Sequence, residues 1–110
     1  MLDETVARIE SIVHQAEMEQ PVRDELTGLV RELKEEVVAL EQSRPEHARS
    51  IAGHAQMSAF EVTRTERDQT MIQHTLEGLS RSVEQFEISH PRLTETVNAI
   101  HRLLSTIGLG

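Results

Sequence analysis

The chain has 110 residues, enough for one small domain. Aromatic residues make up 2% of it and Cys is absent, so any core must be aliphatic, and disulfides, cysteine-ligated zinc and thiol chemistry are excluded. The formal net charge of −8 disfavours nucleic-acid partners, and the lack of a long apolar run or a signal-peptide pattern predicts a cytoplasmic protein without membrane contact.

The first 42 residues predict a helical hairpin. Apolar residues recur at steps of three and four, the spacing of one helix face, over about residues 3–18 and again over about 22–42. The two stripes are Leu2, Val6, Ile9, Val13 and Ala16, and Val22, Leu26, Leu29, Leu33, Val37 and Leu40. Pro21 marks the boundary because proline is tolerated in a first turn, and the short link predicts antiparallel neighbours.

Residues 46–88 allow two interpretations. Small or apolar residues continue at helical spacing, but the middle, residues 63–70, has no apolar side chain. The stripe is Ala48, Ile51, Ala55, Ser58, Val62, Thr65, Gln69, Ile72, Leu76, Leu79, Val83 and Phe86. Because the register is unbroken and neither Gly nor Pro interrupts residues 63–70, we predict one long central helix with coiled-coil-like packing. The alternative is a break near 63–70, with a new helix capped by Thr65 or Asp68.

The long helix would have a consequence for assembly. A helix of about 43 residues is roughly 65 Å long, more than any other predicted helix covers. The part of the stripe that contains Ile51, Ala55 and Val62 would then need another surface, most simply a second copy of the chain. We therefore predict a homodimer, antiparallel or domain-swapped, with these three residues as the self-association site.

The C-terminal segment predicts the second half of another hairpin. Ser89, His90 and Pro91 form a turn and cap before a helix over about 91–107. Its stripe of Leu93, Val97, Ile100, Leu104 and Ile107 is expected to pack against Ile72, Leu76, Leu79, Val83 and Phe86. The prediction is a single all-α domain, a bundle of antiparallel helical hairpins around one long central helix.

This ending also resembles a known family. The run Phe86-Glu87-Ile88-Ser89-His90-Pro91-Arg92-Leu93, the heptad after it and the final Leu104-Ser105-Thr106-Ile107-Gly108 resemble the C-terminus of short bacterial proteins called "domain of unknown function 4404". The resemblance is specific over about residues 72–108 and looser over 1–42, and residues 43–70 look like an insertion. It implies a helical fold with two N-terminal helices. The family has no assigned activity, so the resemblance implies no mechanism.

The pattern of polar residues does not predict an active site. Of the six histidines, only His90 has the Glu-x-x-His spacing of bundle metal sites, with Glu87, and this pair lies where a helix ends at Pro91. No serine follows a strand, and no glycine-rich phosphate loop occurs. We therefore expect no enzymatic activity, no metal and no cofactor.

The predicted function is structural. We expect a non-enzymatic protein that self-associates through its heptad stripes and serves as a scaffold. The alternative is a regulator or adaptor that binds a protein partner, through the stripe of residues 48–62 or through the acidic face of the second helix. That acidic face carries Glu32, Glu35, Glu36 and Glu41. Met18, Met57 and Met71 are interpreted as core fillers, with a binding groove as the alternative role.

Overall fold

A computed structural model describes residues 2–109, and over that range the chain is all-α, as predicted. It contains five α-helices and one 3-10 helix, and no strand occurs among the described residues. The helices are α1 (Leu2–Gln15), α2 (Gln20–Glu41), α3 (Pro45–Thr63), α4 (Gln69–Val83) and α5 (Pro91–Leu109), with the 3-10 helix Glu84–Phe86 directly after α4.

Helix α3 lies at the centre of the bundle. It contacts each of the other four α-helices, whereas α1 packs only on α2 and α3, and α4 packs only on α3, α5 and the 3-10 helix. The inward face of α3 is made mostly of small side chains, which allow several helices to approach one axis closely. Its buried residues are Ala48, Ile51, Ala52, Ala55, Ser58, Ala59, Glu61 and Val62.

The single long helix predicted over 46–88 is instead two helices. Helix α3 ends at Thr63, the chain turns through residues 64–68, and α4 starts at Gln69 and runs back along α3. The carboxylate of Asp68 caps α4 by accepting hydrogen bonds from the amides of Thr70 (2.9 Å) and Met71 (3.2 Å). The physical reason is burial, because folding back removes the apolar stripe of α4 from water. Burial of each large apolar side chain stabilises the folded chain by about 1.5–3 kcal/mol. The register continues in the sequence because both helices present their stripes to the same core.

The residues predicted for self-association are buried within the chain. Ile51, Ala55 and Val62 are 0%, 2% and 0% exposed, covered by the helices that surround α3. The prediction that this stripe needs a second copy assumed that helices of the same chain could not cover it, and that assumption was wrong. The Ala and Ser side chains of this stripe allow the surrounding helices to approach α3 closely.

Helices α4 and α5 form a hairpin whose facing stripes meet in the core. Nine of the ten residues predicted to pack here are buried, and the tenth, Ile107, is half-buried at the edge of the core. The buried nine are Ile72, Leu76, Leu79, Val83, Phe86, Leu93, Val97, Ile100 and Leu104. At the end of α5, a Cβ built on Gly108 would lie 3.2 Å from Val62 Cγ2, so the last turn of α5 also contacts α3.

Of the three residues predicted for the turn and cap before α5, Ser89 and His90 lie in the turn. Pro91 is the first residue of α5, and the carbonyl of His90 accepts the first helical hydrogen bond, from the amide of Thr94 (3.2 Å). The amide of His90 donates to the Phe86 carbonyl (2.8 Å), which ties the turn to the 3-10 helix. The Nδ1 atom of His90 lies 3.0 Å from the hydroxyl oxygen of Ser89.

Truncation of the core of α5 should destabilise the chain strongly. We expect Leu104→Ala to lower the free energy of unfolding by about 2–5 kcal/mol, since the side chain is 1% exposed and its removal leaves a cavity. Denaturant unfolding followed by circular dichroism measures this difference. Ile88→Ala is the control, because Ile88 is 94% exposed and should change the stability little. Equal effects of the two substitutions would contradict the packing.

Removal of the α4 cap should have a smaller effect. Asp68→Ala leaves the amides of Thr70 and Met71 without their side-chain acceptor and should destabilise the chain by about 0.5–2 kcal/mol. Asp24→Ala is the matched control, because Asp24 is also exposed but accepts only from the Gln20 side chain. Identical unfolding curves for the two variants would mean that Asp68 does not cap α4.

Candidate interaction surfaces

A groove runs along the surface between α3 and α4. It consists of two adjoining depressions, of about 430 Å³ and about 300 Å³, that share Ser50, His54 and Gly78. Their lining residues are His47, Ser50, Gly53, His54, Met57, His74, Thr75, Gly78, Arg81, Ser82 and Gln85. Under the groove, the hydroxyl of Ser58 donates to the carbonyl of Thr75 (3.2 Å) and links the two helices. The groove is therefore open to solvent on its outer side, and a hydrogen bond joins the two helices on its inner side.

The depth of the groove depends on two helical glycines, one on each side. A Cβ built on Gly78 would lie 3.1 Å from the Nδ1 atom of His54, so the absence of a side chain there accommodates the imidazole. A Cβ built on Gly53 would meet nothing within 4 Å. Glycine in a helix interior costs about 1 kcal/mol relative to alanine, and at position 53 packing within the chain gives no reason for it. These two glycines are the sequence signal by which the groove could have been found.

Large apolar side chains are exposed near the groove. Met57 lines it and is 52% exposed, and Met71, on the facing helix, is 38% exposed. One helical turn beyond Met57, Phe60 is 49% exposed and stacks under the guanidinium of Arg64, 5.6 Å from the ring centroid. The interpretation of Met57 and Met71 as core fillers is therefore wrong, whereas Met18 does pack against the core. Three of the five large apolar side chains exposed among residues 2–109 lie on α3 or α4.

The groove contains no carboxylate. Its eleven lining residues include three histidines and one arginine, in a chain with 19 acidic residues. Arg81 is paired only weakly with Glu77, at 3.9 Å, and both side chains are more than 60% exposed. The groove thus combines apolar contacts with groups that donate hydrogen bonds to anions.

The opposite chemical character occurs on α2. This helix carries six carboxylates and three basic side chains, and within residues 2–109 no carboxylate of α2 forms an ion pair. Glu32 and Glu35 are exposed, and Glu36 and Glu41 are half-buried. Val38 lies among these residues in the sequence and is 37% exposed. The acidic face predicted for this helix is therefore present and is not neutralised within the chain.

The histidines are not assembled into a metal site. Among the described residues no group of three or more histidine or carboxylate side chains lies close enough to hold an ion. His47 and His90 instead each make a T-shaped contact with Phe86, with ring centroids 5.5 Å from that of Phe86. Phe86 is buried, so these two rings cover one end of the core. None of the helices within residues 2–109 has the length and apolarity needed to cross a membrane.

Comparison with known proteins gives one family. Residues 54–109 match the family described as Domain of unknown function (DUF4404), a segment from the middle of α3 to the end of α5. The segment begins well before residue 72 and includes residues 54–70, which the sequence suggested were an insertion, while residues 1–53 lie outside it. Neither the curated proteins nor the solved structures contain a match. Because the matched segment covers just over half of the chain, the protein belongs to the DUF4404 family.

Proposed function

We propose that this protein is a non-enzymatic adaptor that binds an amphipathic helix of another protein in the groove between α3 and α4. The observation that carries the proposal is an open, carboxylate-free groove, lined by exposed Met57, on an acidic chain. Helix-in-groove recognition uses apolar anchors that enter a pre-formed cleft between packed helices. Methionine is common at such surfaces because its flexible side chain adapts to different partners.

The chemistry of the groove indicates the character of the partner. An apolar stripe on the partner would contact Met57, and carboxylates beside that stripe would accept hydrogen bonds from His54, His74 or Arg81. Close approach of the partner backbone is possible at Gly53, where no side chain projects. We therefore propose a partner helix with acidic residues on both sides of an apolar stripe.

A second candidate is binding of a basic protein to the acidic face of α2. The unpaired carboxylates of Glu32 and Glu35, together with the exposed Val38, support it. Complementary charge of this kind mainly raises the rate of association and is screened by salt. The two candidates predict partners of opposite charge and can therefore be distinguished directly.

Two synthetic helical peptides provide that test. They share one leucine stripe, and the residues beside the stripe are glutamates in one peptide and lysines in the other. We expect the glutamate peptide to shift amide resonances within residues 50–57 and 74–82 in an NMR titration, because these two segments contain most of the residues that line the groove. Shifts caused only by the lysine peptide, and confined to α2, would favour the second candidate. No shift with either peptide would contradict both.

Filling the groove should weaken binding without harming the fold. We expect Gly53→Gln to weaken binding of the glutamate peptide by about tenfold or more, since its side chain would occupy the cleft. Gly28→Gln is the matched control, because Gly28 is also a helical glycine whose added Cβ would meet nothing within 4 Å, but it lies on α2. Both variants should unfold at a slightly higher temperature than the native chain. Unchanged peptide affinity in Gly53→Gln would place the binding site elsewhere.

A further inference from the structure

The link between α3 and α4 has a sequence that is compatible with a helix. Residues 64–68 contain neither Gly nor Pro, and the register of the buried stripe passes through them from Val62 to Ile72 without a shift. No described residue has a positive φ, and Arg64 has a helical φ of −71°, departing from the helix only in its ψ of 154°. No residue of the link therefore has a type or a φ angle that excludes a continuous helix. The bend results from the packing of α4 on α3.

The contacts that the link makes are few and lie mostly at the surface, except for the ion pair of Arg64 with the buried Glu61 (3.2 Å). All five residues of the link are exposed. Asp68 caps α4, and Arg67 donates to the carbonyl of Ile107 near the end of α5 (3.2 Å). In a continuous helix the amides of Thr70 and Met71 would find acceptors four residues earlier, and the last carbonyls of α3 would gain donors. Straightening thus replaces the cap with ordinary helical hydrogen bonds.

The interior contacts that straightening breaks are available from a second copy. They include the hydrogen bond from Ser58 to Thr75 and the contact of Gly108 with Val62. Because two copies are identical, α4 and α5 of one chain fit against α3 of the other through the same atoms, which makes exchange of an element a low-cost route to a dimer. A continuous helix over residues 45–83 would be about 58 Å long. The folded chain is 37 Å in its longest dimension, so α4 and α5 would project beyond their own α1–α3.

We propose that the chain forms a domain-swapped dimer in which residues 64–68 straighten and α4 and α5 are exchanged with a second copy. The same core residues are buried in the closed monomer and in the dimer, and the two forms differ only in the link and in which chain supplies α4 and α5. The dimer is favoured by high protein concentration because two chains combine. In the dimer the groove would lie between α3 of one chain and α4 of the other, with the same lining residues. The exchange therefore does not rest on the adaptor function proposed above.

A proline in the link tests the proposal. The amide of Thr65 donates no hydrogen bond within the described residues, and Arg64 before it has the extended conformation that precedes proline readily. Thr65→Pro is therefore compatible with the closed monomer but would clash with the Glu61 carbonyl in a continuous helix. We expect the native chain, refolded at millimolar concentration, to give a dimer by size-exclusion chromatography with light scattering. Thr65→Pro should lower the dimer fraction by about tenfold or more.

Two further variants complete this comparison. Glu17→Pro is the control, because the Glu17 amide also donates no hydrogen bond to another described residue but lies in the link between α1 and α2. This variant should dimerise like the native chain. Asp68→Ala removes the cap that only the bent form uses and should raise the dimer fraction. A native chain that stays at the mass of one chain at every concentration overturns the proposal, and so does equal dimerisation of the two proline variants.

A cysteine pair identifies the kind of dimer without relying on the proline variants. The native chain has no Cys, and His54→Cys with Gly78→Cys would place two thiols across the interface of α3 and α4, where a Cβ at position 78 lies 3.1 Å from the His54 ring. After oxidation, or reaction with a short thiol-reactive linker, the isolated dimer should run as two covalently joined chains on a denaturing gel. The isolated monomer should run as one chain. A dimer that separates into single, internally linked chains is held together by outer surfaces, and this result excludes the exchange.

Discussion

The central position of α3 is the constraint on which the rest of the fold depends. A helix that contacts four others must bring their axes close, and it does so here because alanines and one serine occupy most of its inward positions. The larger Leu, Ile and Val side chains of the surrounding helices then fill the space between the axes, and the aliphatic core closes without any aromatic residue except Phe86. The small residues of α3 are thus as necessary to the core as the large ones around them.

The reversal between α3 and α4 follows from that position. If the two helices were continuous, α4 would extend into water with five buried positions uncovered, and α3 would lose the neighbour with which it shares its most extensive contact. Five polar residues and the carboxylate of Asp68 are sufficient to turn the chain, because burial of the two stripes supplies the free energy. The helical character of the link remains, and it is what makes an exchange between two copies physically reasonable.

A core completed within one chain leaves recognition to the outer surfaces. The two surfaces with distinct chemistry are the carboxylate-free groove between α3 and α4 and the acidic face of α2, and they are suited to ligands of opposite charge. The groove lies largely within the segment that defines the DUF4404 family, whereas α2 lies outside it.

The sequence predicted the local structure well, but it did not predict where neighbours lie. The stripes of α1, α2 and α5, the turn at His90 and Pro91, and the burial of residues such as Leu79 and Leu104 all agree with the structure, since helical spacing and proline geometry are local properties. The stripe of α3 was also identified, but the partner that covers it was not. Spacing specifies which face is buried and carries no information about whether the covering surface comes from the same chain.

By itself, the sequence determined that this chain is helical, which helix carries the excess negative charge and where most of the inward-facing side chains lie, because each of these follows from residue type and period. The tertiary structure alone decided that the helix over residues 46–88 divides at Arg64–Asp68, that Ile51, Ala55 and Val62 are covered internally, and that Gly53 and Gly78 line the same open groove. The physical reason is that these outcomes depend on the free energy of packing helices distant in sequence. That free energy outweighs the local preference of the five polar residues 64–68 for continuing the helix.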